Sequence, residues 1–315
     1  MGNSTFSGPV RSEGGFQSLA SNTTTGNQVN DKFEVDSDGQ VIVYGTNANN
    51  VNRGARTSDR YYLESYFEKR PATNANIDQA YTVEVARAAN REFEILGTNM
   101  TTALVTFDTT RAGLTITTAG ADQDQAIVAP HLDSGFTAWT GVLWGTENYT
   151  EWECSISTNA IDNQKIWAGL KLTNDQLVAT DADQVFFKFQ TDATNSEAFT
   201  DFTVLHFVHS IAGTDFISAL PITVTANQTL HLKVVIDADR KATIFVNGQQ
   251  YNVTTTSGST GGTAVTAVAE GGTVTKTGAL TDNVDFIPYI GIEAGAAAAE
   301  ALDVHYQAIN RVIFE

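Results

Sequence analysis

The chain has 315 residues, 42% of them hydrophobic and 10% aromatic, which is enough for one large β domain with a smaller companion and too much for wholesale disorder. Its net charge of −18 is uneven: residues 1–120 hold 10 Lys/Arg against 13 Asp/Glu, whereas residues 121–315 hold 8 against 23, a net of −15. So acidic a segment repels nucleic acid and anionic membranes, excluding both as partners, and no apolar run approaches the roughly 20 residues of a membrane-spanning helix.

Residues 1–58 are rich in Asn, Ser, Thr and Gly with spaced hydrophobic residues. The opening nine residues, Met1 to Pro9, have neither the basic nor the apolar region of a signal peptide. One apolar run, Val41-Ile42-Val43-Tyr44, predicts a strand after the turn Asp36-Ser37-Asp38-Gly39. The rest cannot bury much surface alone, so the segment is either a disordered tail or, as its spaced anchors favour, an extended N-terminal docking arm. Its anchors would be Phe6, Pro9, Val10, Arg11, Phe16 and Leu19, and its near-neutral charge suits contact with a partner.

Residues 59–91 predict a short helical linker or collar. Asp59 is placed as an N-cap, Tyr62, Leu63 and Tyr66 fall at helical spacing, and Pro71 ends the element. A second helix is expected over Ile77 to Arg91.

From residue 92 the hydrophobic period becomes two. Runs such as Phe93-Glu94-Ile95-Leu96, Trp139 to Trp144, Glu151 to Ile156, Lys165 to Leu170, Val185 to Phe189, Phe202 to Phe207, Thr229 to Ile236, Ala242 to Val246 and Phe286 to Ile290 predict about a dozen short strands closing at Val304 to Phe314. This implies a closed or double-sheet β architecture over residues 92–315. The Gly/Thr/Ala-rich stretch 254–281 is expected to be a flexible surface loop or long hairpin tip, a tolerated insertion in preference to a receptor-binding loop. Cys154 is the only cysteine, so no intrachain disulfide forms, and its alternating context predicts a buried strand residue.

Candidate chemistry is sparse. Glu151 and Glu153 share a strand face but lack the third acid of a glycoside-hydrolase strand. Asp181/Asp183 and Asp237/Asp239 are the tight acidic pairs that could hold Ca²⁺, and each sits in an apparent turn, where Asp is common anyway. His206 and His209 fall on opposite faces of a strand. No other metal site and no cofactor is indicated. The tryptophans cluster, and Trp139 and Trp144 are candidates for stacking on a ligand such as a sugar, against the alternative that they belong to the core. Gly-rich phosphate loops and a Ser-His-Asp order are absent from the sequence. The chain is therefore read as non-enzymatic.

The stretch His231 to Gly248 runs an alternating strand into the Asp237-Ala238-Asp239-Arg240 turn, then a β-branched return strand and Asn247-Gly248. It resembles the signature hairpin of concanavalin/laminin-G-like domains, which implies a mainly β jelly-roll sandwich. The opening Asn3-Ser4-Thr5-Phe6-Ser7-Gly8-Pro9-Val10-Arg11-Ser12-Glu13-Gly14-Gly15-Phe16, with Tyr61 to Glu68, Gly97-Thr98-Asn99 and Trp144 to Asn148, resembles structural proteins of marine tailed bacteriophages. That resemblance implies a capsid decoration or cement protein on the outer surface of the virion, made in the host bacterial cytoplasm. Its partners would be the major capsid protein and further copies of itself, as a dimer or trimer. The alternative is a carbohydrate-binding, lectin-like receptor-recognition module of a head or tail fibre, with a cell-surface glycan as partner.

Overall fold

The computed structural model describes residues 16–21, 28–35, 41–43, 60–75, 92–130, 142–192, 197, 199, 201–258 and 260–312. The chain divides into two compact units at Arg60/Tyr61.

In the first unit β1 (Phe16–Ser21), β2 (Gln28–Val35) and β3 (Val41–Val43) form a three-stranded sheet in that order. Both pairings are antiparallel, with Phe16 opposite Val35 and Phe33 opposite Val43. Val29, Phe33 and Val35 lie in β2, and Phe16 and Leu19 lie in β1, whose register is broken between Gln17 and Leu19. Phe6, Pro9, Val10 and Arg11 lie outside the described residues.

The second unit is a two-sheet sandwich. Its strands are β4 (Arg60–Ser65), β5 (Ala72–Asn74), β6 (Phe93–Gly97), β7 (Val105–Phe107), β8 (Leu114–Thr117) and β9 (Gln125–Pro130). There follow β10 (Glu151–Thr158), β11 (Gln164–Lys171), β12 (Gln184–Gln190), β13 (Val204–Ile211), β14 (Thr214–Thr223) and β15 (Leu230–Ile236). The last are β16 (Ala242–Val246), β17 (Gln249–Tyr251), β18 (Thr263–Ala264), β19 (Ile287–Ala294) and β20 (Ala301–Val312). The eight-stranded sheet runs β17-β16-β15-β10-β20-β8-β7, with β4 also on β20; the nine-stranded sheet runs β18-β14-β13-β12-β11-β19-β9-β6-β5. Neighbours β8, β20 and β10 of one sheet connect to neighbours β9, β19 and β11 of the other, the wrapping of a jelly roll.

The helical collar is corrected at its first element: Arg60–Ser65 is a strand. The same residues carry both periods, and tertiary packing selects period two. Tyr61 packs on Trp144 at 5.9 Å between ring centroids, and Phe67 on Phe93 at 5.4 Å, while Tyr66 is exposed. The helix expected over 77–91 lies outside the described residues.

The main core fills the space between the sheets, with Trp152, Cys154 and Ile156 of β10 facing Ile166, Ala168 and Leu170 of β11. A void of about 20 Å³ remains among Ile156, Phe187, Leu205 and Leu232, far below the roughly 300 Å³ of a small-molecule pocket. A second apolar cluster lies on the outer face of the nine-stranded sheet, where Trp167, Phe186, Val208 and Tyr289 meet Val178 and Phe199 from connecting segments. Strands β11 and β12 are consequently buried on both faces.

The insert 254–281 is bonded along the sheet edges rather than projecting as a free tip. Its β18 pairs in parallel with β14, and the Thr277 and Leu280 amides donate to the Ala242 and Arg240 carbonyls at 3.1 and 2.8 Å.

Candidate functional site

Two outer faces could carry function, and they differ in kind. On the nine-stranded sheet, Lys165, Lys171 and Lys188 project outward yet are buried. Lys165 pairs with Glu293 at 2.5 Å and Asp192 at 3.5 Å, Lys171 with Asp181 at 3.1 Å, and Lys188 with Glu197. Lys188 also donates to the Gln176 carbonyl at 2.9 Å and lies over the Phe199 ring. Burial lowers its pKa to about 8 against the opposing pull of Glu197. Every lysine here is neutralised by groups that also close the face, so this surface offers no open cleft among the described residues.

The outer side of the eight-stranded sheet is open over part of its area, with Tyr66 and His231 exposed. Alternation in β10 puts Trp152 and Cys154 in the core and Glu151, Glu153, Ser155 and Ser157 outside. Lys233 of β15 lies 3.0 Å from Glu151 and 3.8 Å from Glu153. Tyr306 and His231 both stand in register with Ser155, one from each neighbouring strand. Their ring centroids are 6.3 Å apart across that small residue, and the exposed Tyr66 adds a third ring 5.8 Å from Tyr306. The Tyr306 hydroxyl donates to Glu153 Oε1 at 3.5 Å.

Beside this row lies a polar network made by a β-bulge. Ser155 pairs with Tyr306 and Ile156 with Val304, leaving His305 as the extra residue. Its Nε2 is 3.0 Å from Ser157 Oγ, and its Nδ1 is 3.1 Å from the Ala112 carbonyl and 3.7 Å from Asp108 Oδ2. A carbonyl accepts only, so Nδ1 donates to Ala112, while the Ser157 hydroxyl, which donates to Asp303 Oδ2 at 3.3 Å, meets Nε2. Arg111 Nη1 donates to Ser157 Oγ at 3.1 Å and to Thr229 Oγ1 at 3.2 Å. Hydroxyl, imidazole and carboxylate are thus aligned, but Ser157 is buried at 3% exposure beneath the Arg111 contact, so in this arrangement it holds the face together. The sequence reading missed this triad because its members come from residues 108, 157 and 305.

The sequence-nominated residues fall elsewhere. Trp144 is buried in the core, closed off from a ligand, and Trp139 lies outside the described residues. Asp181 spends its oxygens on the Leu172 and Thr173 amides, the Thr173 hydroxyl and Lys171. Asp183 accepts from the Ala212 amide and the Thr281 hydroxyl. Asp237 caps its own turn through the Asp239 and Lys241 amides and pairs with Lys276 at 2.7 Å. Burial works to raise the Asp237 pKa, but those hydrogen bonds outweigh it and hold the group below its ordinary value. Asp239 is exposed and 3.9 Å from Lys241. The two pairs do not converge on a common centre, and no group of three or more metal-binding side chains occurs among the described residues.

No protein-family model matches the chain, and no curated protein matches it either. Among solved structures it is similar to a protein of unknown function from Shewanella oneidensis MR-1, with a TM-score of 0.46, 8% identity, and coverage of 82% of this chain and 89% of that one. It is also similar to the family 7 alginate lyase A1-II′ (TM-score 0.41, 14% identity, 69% and 85% covered) and to a Bacillus licheniformis β-glucanase (0.42, 10%, 81% and 99%). At these scores the likeness is one of general β-sandwich shape.

Proposed function

We propose that the chain is a non-enzymatic structural protein of a tailed-bacteriophage virion, a capsid decoration or cement protein whose N-terminal unit docks on the major capsid protein while the sandwich is displayed outward. The observation that carries this reading is the division of labour along the chain. Residues 61–313 form a unit with two apolar cores of its own, and the small unit has its own three-stranded sheet. The charge split and the resemblance of residues 3–16 to virion proteins point the same way. Self-association as a dimer or trimer belongs to this reading. Its test is co-sedimentation with phage heads lacking the protein. Deleting residues 1–55 should abolish binding while leaving the sandwich's thermal transition intact, and undiminished binding would overturn the proposal.

A second reading, a carbohydrate-binding recognition module, is favoured by a different observation: the row of three rings on the outer face of the eight-stranded sheet.

A further inference from the structure

We infer that the row Tyr66–Tyr306–His231 is a carbohydrate-binding surface for a neutral glycan chain laid across the strands of the eight-stranded sheet. The inference rests on the carbohydrate-binding reading and gives it a site and a ligand class.

The rings come from three strand regions far apart in sequence, so only the fold brings them together. Tyr66 follows β4, Tyr306 lies on β20 and His231 on β15. Centroid spacings of 5.8 and 6.3 Å and tilts of 35° and 36° make a continuous, shallowly twisted row, following the twist between neighbouring strands. What joins Tyr306 to His231 is Ser155, the residue between them in register, whose side chain is too small to separate the rings. Tyr66 is 50% exposed and His231 is exposed, so ring surface faces solvent. Aromatic faces of this kind match the apolar C–H face of a pyranose, and the hydroxyl of tyrosine keeps the edge wet.

The groups beside the rings supply hydroxyl recognition. Glu153 Oε1, which takes the Tyr306 hydroxyl at 3.5 Å, is an acceptor on one side. Arg111 is a charged donor on the other, held by Ser157 and Thr229. Charge sets the ligand class. Lys233 is committed to Glu151 and Glu153, and the chain carries a net −18. A polyanionic glycan would meet repulsion that Arg111, the cation beside the rings, offsets only in part, so a neutral hexose polymer fits.

Affinity electrophoresis of the full chain through gels containing a soluble β-glucan, a mannan, a xylan or alginate tests this. Wild type should be retarded by at least one neutral polysaccharide and not by alginate. The Tyr66→Ala/Tyr306→Ala double variant should lose about tenfold or more in affinity, as expected for two stacking rings. Tyr306→Phe, which keeps the ring, should lose much less. Thermal melts of each variant establish that it is folded, and His231→Ala provides an independent substitution outside β20. Retardation by no neutral glycan would overturn the carbohydrate reading itself. Neutral binding unchanged in both the double variant and His231→Ala would overturn only the site. Binding confined to alginate would overturn the ligand class.

Discussion

His209 and Phe216 are cross-strand partners of β13 and β14, with rings parallel to within 2° and centroids 4.6 Å apart. Phe207, two residues earlier on β13, lies 5.8 Å from His209, and His209 Nδ1 has no hydrogen-bond partner among the described residues. An imidazole in such apolar surroundings is held neutral. Burial lowers the His209 pKa from 6.5 to about 3; it also lowers that of His206, packed on Phe199, to about 4, against the pull of Asp201.

The sign of the resulting pH dependence follows from linkage. The unfolded chain protonates these histidines near 6.5 while the folded one resists, so their contribution is complete above that pH and is lost as pH falls toward 4 and 3. For His209 alone the loss reaches on the order of 3 kcal/mol by pH 4. Thermal melts at pH 7, 5.5 and 4 should show a falling midpoint, and His209→Phe should make that fall shallower. An unchanged pH slope in the variant would show that His209 is not the sensor.

Gly291 and Trp167 form a second cross-strand pair in which the absence of a side chain is used. A Cβ on Gly291 would sit 2.3 Å from Trp167 Cζ2, and Trp167 is fully buried. Gly291→Ala is therefore an overpacking substitution, expected to cost about 1–3 kcal/mol in urea unfolding. Trp167→Leu in the same chain should recover part of that loss, because the crowded ring is gone.

These examples show how far the sequence reaches. The alternating runs of β10, β15 and β16 are legible because one face of each meets the core, and β11 and β12, buried on both faces, are legible as short apolar runs. β14 escaped because Pro221 and its small residues weaken the pattern. β4 was misread because Tyr62, Leu63 and Tyr66 satisfy a helical period that Tyr61, Leu63 and Ser65 contradict. Lys165, Lys171 and Lys188 are buried because connecting segments pack over their face, which no local pattern signals. The ring row needs residues 66, 231 and 306, which no local pattern links.

The buried Lys188–Glu197 pair makes a pH-resolved prediction. Removing one partner of a buried pair leaves an uncompensated charge, so Glu197→Gln should destabilise by roughly 3 kcal/mol at pH 7. Burial lowers the Lys188 pKa to about 8, so between there and the unfolded value near 10.4 the unfolded chain binds the extra proton, and stability attributable to this group rises with pH. The cost of Glu197→Gln should thus shrink at pH 9.5, where folded Lys188 is neutral. Urea midpoints at both pH values measure it, and an equal cost at each would show that Lys188 keeps its charge.

Cys154 is fully buried, and burial, followed by the neighbouring Glu153 charge, pushes its thiol pKa up. The thiolate is the reactive form. Native protein should leave a thiol reagent such as Ellman's reagent essentially unreacted, with one thiol appearing in denaturant. Rapid reaction of the native chain would contradict the packing of β10.

The insert 254–281 lies along exposed strand edges, where unpaired backbone groups invite pairing with another chain. On the nine-stranded sheet, β18 pairs with β14 at Ser218 and Ala219, and the Gly258 amide donates to the Asp215 carbonyl at 2.8 Å. On the eight-stranded sheet the bridges Lys241–Ala279 and Tyr251–Ala267 occupy the ends of β16 and β17. Buried Leu280 and Val268 pin the segment down. Such an arrangement covers edges with backbone that contributes little core of its own, which accounts for its Gly/Thr/Ala-rich composition. Replacing residues 258–266 by a short Gly-Ser linker removes β18 and leaves the Leu280 anchor in place. Light scattering should then reveal a concentration-dependent species absent from the wild type, with the thermal midpoint lowered only modestly. A charged substitution on the uncovered strand, Ala219→Lys, should suppress that species. If the deleted chain behaves as the wild type does at every concentration, the insert does not protect the β14 edge.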